Sequence, residues 1–163
     1  MFSVGYGIAN REKRINKIAL TDGTTALILA AVHFEWMIKR SILKLGCSPT
    51  SALRNELEEI YKLAIPGNNK KDYRSIWKRE VSCRFKNAQL GKVLGNLHTL
   101  QNSTMKVRGR VIHGNGTVSQ DVANDAINEF MLATGKLASF AVKHGENLDE
   151  KLKTRIKARE VSV

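Results

Sequence analysis

Within six residues the chain sets Arg108, Arg110 and His113, and follows them at once with Gly114-Asn115-Gly116. These are the residue types that phosphodiester cleavage needs. A group that exchanges protons near neutral pH has to serve the attacking and leaving oxygens, and histidine does so with a reference pKa of about 6.5. A cation has to take up the charge that builds on pentavalent phosphorus, and the rigid donor fork of arginine is suited to that. Gly109 and Gly114 leave backbone room for a phosphate to approach. The same string also reads as an ordinary basic turn that ends a helix, with His113 favouring the helix dipole and Gly114 as the stop.

Spacing limits how these groups can act together. Arg108 and His113 are five apart, about 500° around an ideal helix, so they do not share a face. Arg110 and His113, three apart, do. For Arg108 to work with His113, either the segment departs from regular helix or two chains share the site. The other histidines have no such company. His33 lies with Glu35 in an apolar stretch, His98 falls on the polar side of an amphipathic stripe, and His144 sits near a helix C-terminus where a positive charge suits the dipole.

The chain has no P-loop, no GxGxxG after a strand, no HExxH and no GxSxG. Cys47 and Cys83 are the only cysteines and show no CxxC spacing, so neither a disulfide framework nor a zinc site is expected. No acidic cluster suited to Mg²⁺ is visible, and neither metal nor cofactor is expected.

Helices must position these groups. Helix formers dominate, strand-type alternation is scarce, and only Pro49 and Pro66 interrupt the chain. Ile8 to Leu20 reads as a short helix with a basic polar face. Asp22 caps a long helix from about Gly23 to Leu45, and Gly46 stops it. Its apolar run from Thr24 to Phe34 is too short for a membrane span, which needs roughly 20 residues, and reads as a buried helix. Ser48-Pro49 predicts the start of a helix to Ile65, with Leu53, Leu57 and Ile60 inward. Pro66 to Asp72 is the clearest loop. A less regular basic stretch, Tyr73 to Phe85, precedes a stripe of Leu90, Val93, Leu94, Leu97 and Leu100. Thr117 or Ser119 caps a last long helix with Val122, Ala126, Phe130, Ala133, Leu137 and Phe140 on one face, ended by Gly145. From Asn147 a basic helix to about residue 160 is expected, with Leu148, Leu152 and Ile156 on one side. The fold class is all-α: a compact up-and-down bundle of four to five core helices with short accessory helices, in a single domain whose core covers about 23–145.

Length and charge agree with one soluble nucleic-acid-facing domain. The 163 residues are 42% hydrophobic and 26% charged, with a net charge of +12. A basic chain of this size attracts polyanions, of which nucleic acid is the usual one. Lys106, Lys143 and the Lys70-Lys71 pair extend a phosphate track. Aromatic residues are only 6%, so base stacking is limited, with Tyr73 and Trp77 as the candidates. The N-terminus lacks the pattern of a secretory signal and no lipidation motif is seen, so a cytoplasmic chain without membrane contact is expected.

The run Arg108-Gly-Arg-Val-Ile-His113-Gly114-Asn115 resembles the Arg-x4-His signature of the HEPN superfamily. The early helix from Ala26 to Arg40 is similar to that family's opening helix, which carries an acidic residue facing the motif, here Glu35. The resemblance covers the layout of roughly 24–145, with the motif just before a long final core helix. It implies a helical bundle that cuts RNA without a metal, as toxins and antiviral-defence proteins of the family do. The 2′-OH would attack the adjacent phosphorus and leave a 2′,3′-cyclic phosphate or its opened product and a 5′-OH. The family typically dimerises, so the resemblance implies a homodimer with both motifs lining one cleft, and an antitoxin or defence-system partner protein. His113 would be general acid or base, Arg108 the clamp, Arg110 a further phosphate contact, and Glu35 and Asn115 supports.

Two positions depart from the family. The residue after the arginine is often Asn, His or Asp there and is Gly109 here. Some toxins of this type carry a tyrosine two residues after the histidine, where an antitoxin modifies them; this chain has Asn115. The competing expectation is a catalytically silent HEPN-like module that binds RNA or protein. A helix-turn-helix DNA binder, which Thr104 to Ile127 loosely resembles, is the third.

Overall fold

The computed structural model describes residues 7–60, 72–114 and 116–159. Among them the protein is all-helical, with no strand. The helices are α1 (Ile8–Ala19), α2 (Gly23–Leu45), α3 (Thr50–Glu58), α4 (Tyr73–Trp77), α5 (Leu90–Leu94), α6 (Leu97–Thr99), α7 (Met105–Ile112) and α8 (Gln120–Lys143). Two single-turn π-helical stretches occur, π1 (Lys78–Ser82) after α4 and π2 (Leu100–Thr104) leading into α7. None of the described helices is long and apolar enough to cross a membrane.

The chain divides into two compact units, each made of two separate stretches. The described residues within 1–35 and 96–135 form the first; those within 36–95 and 136–163 form the second. The first unit carries the Arg108–His113 string. There the N-terminal part of α2 packs on the N-terminal part of α8 through Phe34 and Phe130, whose ring centroids are 5.5 Å apart. Such a pair adds about 0.5–1.5 kcal/mol beyond the area it buries. Ala26, Ala30, Ala123 and Ala133 are fully or almost fully buried beside these larger groups. Small side chains let the helix backbones come close.

The caps explain why the elements begin and end where they do. Asp22 takes the Thr25 amide at 2.9 Å and starts α2. At the other end the Gly46 amide closes on Ile42 O at 2.8 Å, and a Cβ on Gly46 would come within 2.6 Å of that carbonyl, so glycine is required by close approach. Ser119 Oγ accepts from Val122 N at 3.4 Å at the start of α8. At its end Glu146 N reaches back to Ala141 O at 2.9 Å across the left-handed Gly145, the geometry of a Schellman stop.

The second unit is built around Trp77, which is fully buried and donates from Nε1 to Ala88 O at 2.6 Å. Phe140 of α8 packs on it at 5.8 Å between centroids. Tyr73 is 1% exposed and donates to Ile60 O at 2.7 Å. Both aromatics are therefore core, and neither is available to stack on a base.

Three further expectations are corrected. Among the described residues the basic helix expected over 147–160 is absent: residues 151–159 are irregular. Leu148 is buried, but Ile156 is 84% exposed, so the proposed apolar stripe is not packed along its length and a short helix gains little support. The segment instead pairs its backbone with the α2–α3 connection. Thr50 N donates to Arg155 O, Arg155 N to Thr50 Oγ1, and Arg159 N to Cys47 O, each at 2.9 Å. Second, α3 starts at Thr50 with no side-chain cap, because the Ser48 hydroxyl donates to Glu80 Oε1 at 2.8 Å. The helix ends at Glu58, and the rest of the span expected to reach Ile65 lies outside the described residues beyond Ile60. Third, the leucine stripe from 90 to 100 is broken by Gly95 in a left-handed conformation, where Lys136 Nζ caps the Leu94 carbonyl at 2.7 Å.

Candidate functional site

The segment bearing Arg108, Arg110 and His113 is regular α-helix to Ile112. His113 is the residue that ends it, at φ −91° and ψ 4°, and its amide donates to Gly109 O at 3.0 Å. Gly114 follows with φ +64°, a left-handed conformation that glycine adopts without strain. The regular helix closes one of the two routes left open by the spacing. On a single chain, side chains five positions apart in this helix point about 140° away from each other.

Within the first unit Arg108 meets Glu35. Nη2 lies 3.4 Å from Glu35 Oε1, with the arginine side chain 27% exposed and the carboxylate 20%. The contact is long for a charge-assisted hydrogen bond. Arg108 Nε is buried and makes no hydrogen bond among the described residues, so the guanidinium is held through Nη2. Both partners are partly open to solvent. The pair joins α7 to α2 across 73 positions. Arg110, His113 and Lys106 are exposed in the same unit, and nothing lies within 4 Å of a Cβ built on Gly109. Lys143, at the end of α8, is exposed in the second unit. Asn115, Lys70 and Lys71 lie outside the described residues.

Two of the remaining histidines, His33 and His144, are accounted for by packing. His33 is fully buried, with Nε2 3.5 Å from Glu12 Oε1. That contact is the main reason the Glu12 carboxyl titrates below its usual range, and Thr134 adds a hydrogen bond at 3.1 Å. Glu12, in the polar face of α1, gave no signal of this role. His98 is exposed. His144 stacks on Phe85 at 4.0 Å and Phe140 at 4.5 Å between centroids. Burial against these rings, then the charges of Lys143 and Arg84, lowers its pKa, so it is not the helix-end cation the sequence suggested.

Glu80, in π1, is the polar centre of the second unit. It is 1% exposed. Its Oε2 accepts from the amides of Cys47 at 3.0 Å and Ser48 at 2.9 Å, and its Oε1 from Arg79 Nε at 2.9 Å. Burial pushes this carboxyl up, but Ser48 and Arg79 together outweigh that and hold it below its ordinary value. One sequence signal was present: Glu80 continues the apolar stripe of Ile76 and Trp77 at helical spacing.

Chemically, α7 presents a proton-transfer group and an exposed guanidinium on one face, and a second guanidinium braced by a carboxylate on another. Compared with family models, with curated proteins and with solved structures, the chain matches none of them.

Proposed function

We propose that the protein is a metal-independent endoribonuclease of the toxin or antiviral-defence type, acting as a homodimer whose composite site joins the α7 segments of two copies. The observation that carries this reading is the Arg108–Glu35 contact, which braces the arginine of the Arg-x4-His string on a neighbouring helix of the same unit. A braced guanidinium loses less freedom on binding a phosphate than a free one does.

In this reading His113 removes the proton of the RNA 2′-OH as the oxygen attacks the adjacent phosphorus. The P–O5′ bond breaks, and the leaving oxygen takes a proton from the histidine of the second copy. Arg108 takes up the charge on the non-bridging oxygens, and Arg110 holds a neighbouring phosphate. DNA is inert because it lacks the nucleophile. The 140° divergence of Arg108 and His113 around one helix is why each copy would complete the other.

A second reading has its own support. His113 and Gly114 end α7 as an ordinary helix stop, which fits a module that binds RNA or protein without cutting.

Labelled RNA incubated in excess EDTA separates the two, with His113→Ala and Arg108→Ala proteins prepared identically. The nuclease reading expects cleavage by the unaltered protein alone, leaving 5′-OH ends and cyclic phosphates. An inert protein that still retains RNA leaves the binding module as the answer.

A further inference from the structure

Cys47 and Cys83, separated by 36 positions, come together in the second unit with their sulfur atoms 3.3 Å apart. Nothing in their spacing announced this. Cys47 is buried in the connection after α2, while Cys83 is exposed directly after π1. One backbone oxygen brackets both, since Glu80 O lies 3.4 Å from Cys47 Sγ and 3.5 Å from Cys83 Sγ. The surroundings fix the pair from three sides. The Cys47 amide is held by Glu80 Oε2, its carbonyl by Arg159 N, and the Arg84 guanidinium donates to Leu45 O beside it.

We propose that Cys47 and Cys83 are a redox-modification site, closing to an intrachain disulfide when a peroxide reaches the exposed sulfur. An S–S bond spans about 2.0 Å, so the sulfurs start little more than an ångström from bonding distance. The two thiols have distinct roles because only one is accessible. Accessibility decides which sulfur meets the oxidant, and that is Cys83. Burial pushes the Cys47 thiol up to about 11, which keeps it neutral and unreactive towards oxidant in solution.

The chemistry balances with peroxide as the single oxidant. The Cys83 thiolate attacks one peroxide oxygen, the O–O bond breaks, and the departing hydroxide takes a proton to become water. Cys83 is now a sulfenic acid. Cys47 Sγ then attacks the Cys83 sulfur, the S–OH bond breaks, and the hydroxide leaves as water with the Cys47 proton. Overall two thiols and one hydrogen peroxide give one disulfide and two waters. A dithiol reverses it by exchange.

The test treats the reduced full chain with an equimolar amount of hydrogen peroxide, alkylates it, and maps peptides by mass spectrometry. The expected product is a monomeric chain lighter by two hydrogens, with the Cys47 and Cys83 peptides linked and both thiols recovered by dithiothreitol. Cys47→Ser is expected to stop at a Cys83 sulfenic acid that dimedone traps. Cys83→Ser, at an exposed position, leaves Cys47 reduced and decides the matter even if the Cys47 variant fails to fold. Oxidised wild-type chains in which Cys47 remains a thiol, with Cys83 overoxidised or bonded to a second chain, overturn the proposal. So does oxidation of Cys47 in the Cys83→Ser protein at the wild-type rate.

Discussion

Arg108 Nη2 stands 3.4 Å from Glu35 Oε1, an ion pair joining α7 to α2 with both partners partly open to solvent. Exposure limits its value for folding: pairs of this kind contribute at most about 1 kcal/mol. Its value for orientation is separate, because it selects one rotamer of a long side chain. On the proposed nuclease reading, Glu35→Gln is therefore expected to lower RNA cleavage roughly tenfold while shifting the unfolding free energy by less than about 1 kcal/mol. Parallel cleavage assays and urea titrations measure the two effects. Unchanged cleavage would remove Glu35 from the site, and a large loss of stability would make it a folding residue.

Lys106 is exposed one turn before Arg110 on α7. If it contacts a phosphate, neutralising it removes one released counterion. For single-stranded RNA the slope of log K against log salt should then shrink by about 0.7 in Lys106→Ala. Binding measured between low and moderate salt checks this. A weaker complex with an unaltered slope means Lys106 acts otherwise than through phosphate charge.

Glu80 gives a pH prediction with a definite sign. Its folded carboxyl titrates below the ordinary value of 4.5, because Ser48 and Arg79 favour the charged form more than burial opposes it. A depressed pKa contributes stability that is full above the unfolded value and lost as pH falls through the folded one. Glu80→Gln should therefore be less stable at pH 7, by about 3 kcal/mol, since the amides of Cys47 and Ser48 lose a charged acceptor. The gap to wild type should narrow as pH drops below 4.5. Urea midpoints at a series of pH values decide it; a gap that stays constant into acid contradicts the titration of Glu80.

What was legible in the sequence follows the range of the forces involved. The bounds of α2 could be read because Asp22 and Gly46 act on their own neighbouring backbone. The interior of α8 could be read because Ala126, Phe130, Ala133 and Leu137 recur at helical spacing; Val122, on the same pattern, is 41% exposed. The tail misled for the same reason. Leu148, Leu152 and Ile156 have helical period, but period does not say whether a partner surface exists. The contacts Glu80–Cys47 and Cys47–Cys83 bridge 33 and 36 positions and depend on where the chain returns, which no local pattern encodes. For Arg108, Arg110 and His113 the sequence supplied the residue types, and the helix around them supplied the direction of each side chain.

Gly109 is where local propensity and the candidate site meet. It lies inside α7 with nothing within 4 Å of the Cβ it lacks, and its backbone is helical. Glycine in a helix interior is about 0.5–1 kcal/mol less favourable than alanine, because the unfolded chain is freer and no side chain shields the backbone. With open space and no left-handed φ, alanine meets no compensating penalty. Gly109→Ala is therefore expected to raise the unfolding free energy by about 0.5–1 kcal/mol. The contrast is Gly46→Ala, whose Cβ would fall 2.6 Å from Ile42 O and which should destabilise by more than about 1 kcal/mol. Urea midpoints of the two variants should move in opposite directions. A Gly109→Ala protein no more stable than wild type would mean that the glycine directly after the arginine of the Arg-x4-His string adopts, in solution, a backbone conformation other than the helix that sets Arg108 and His113 apart.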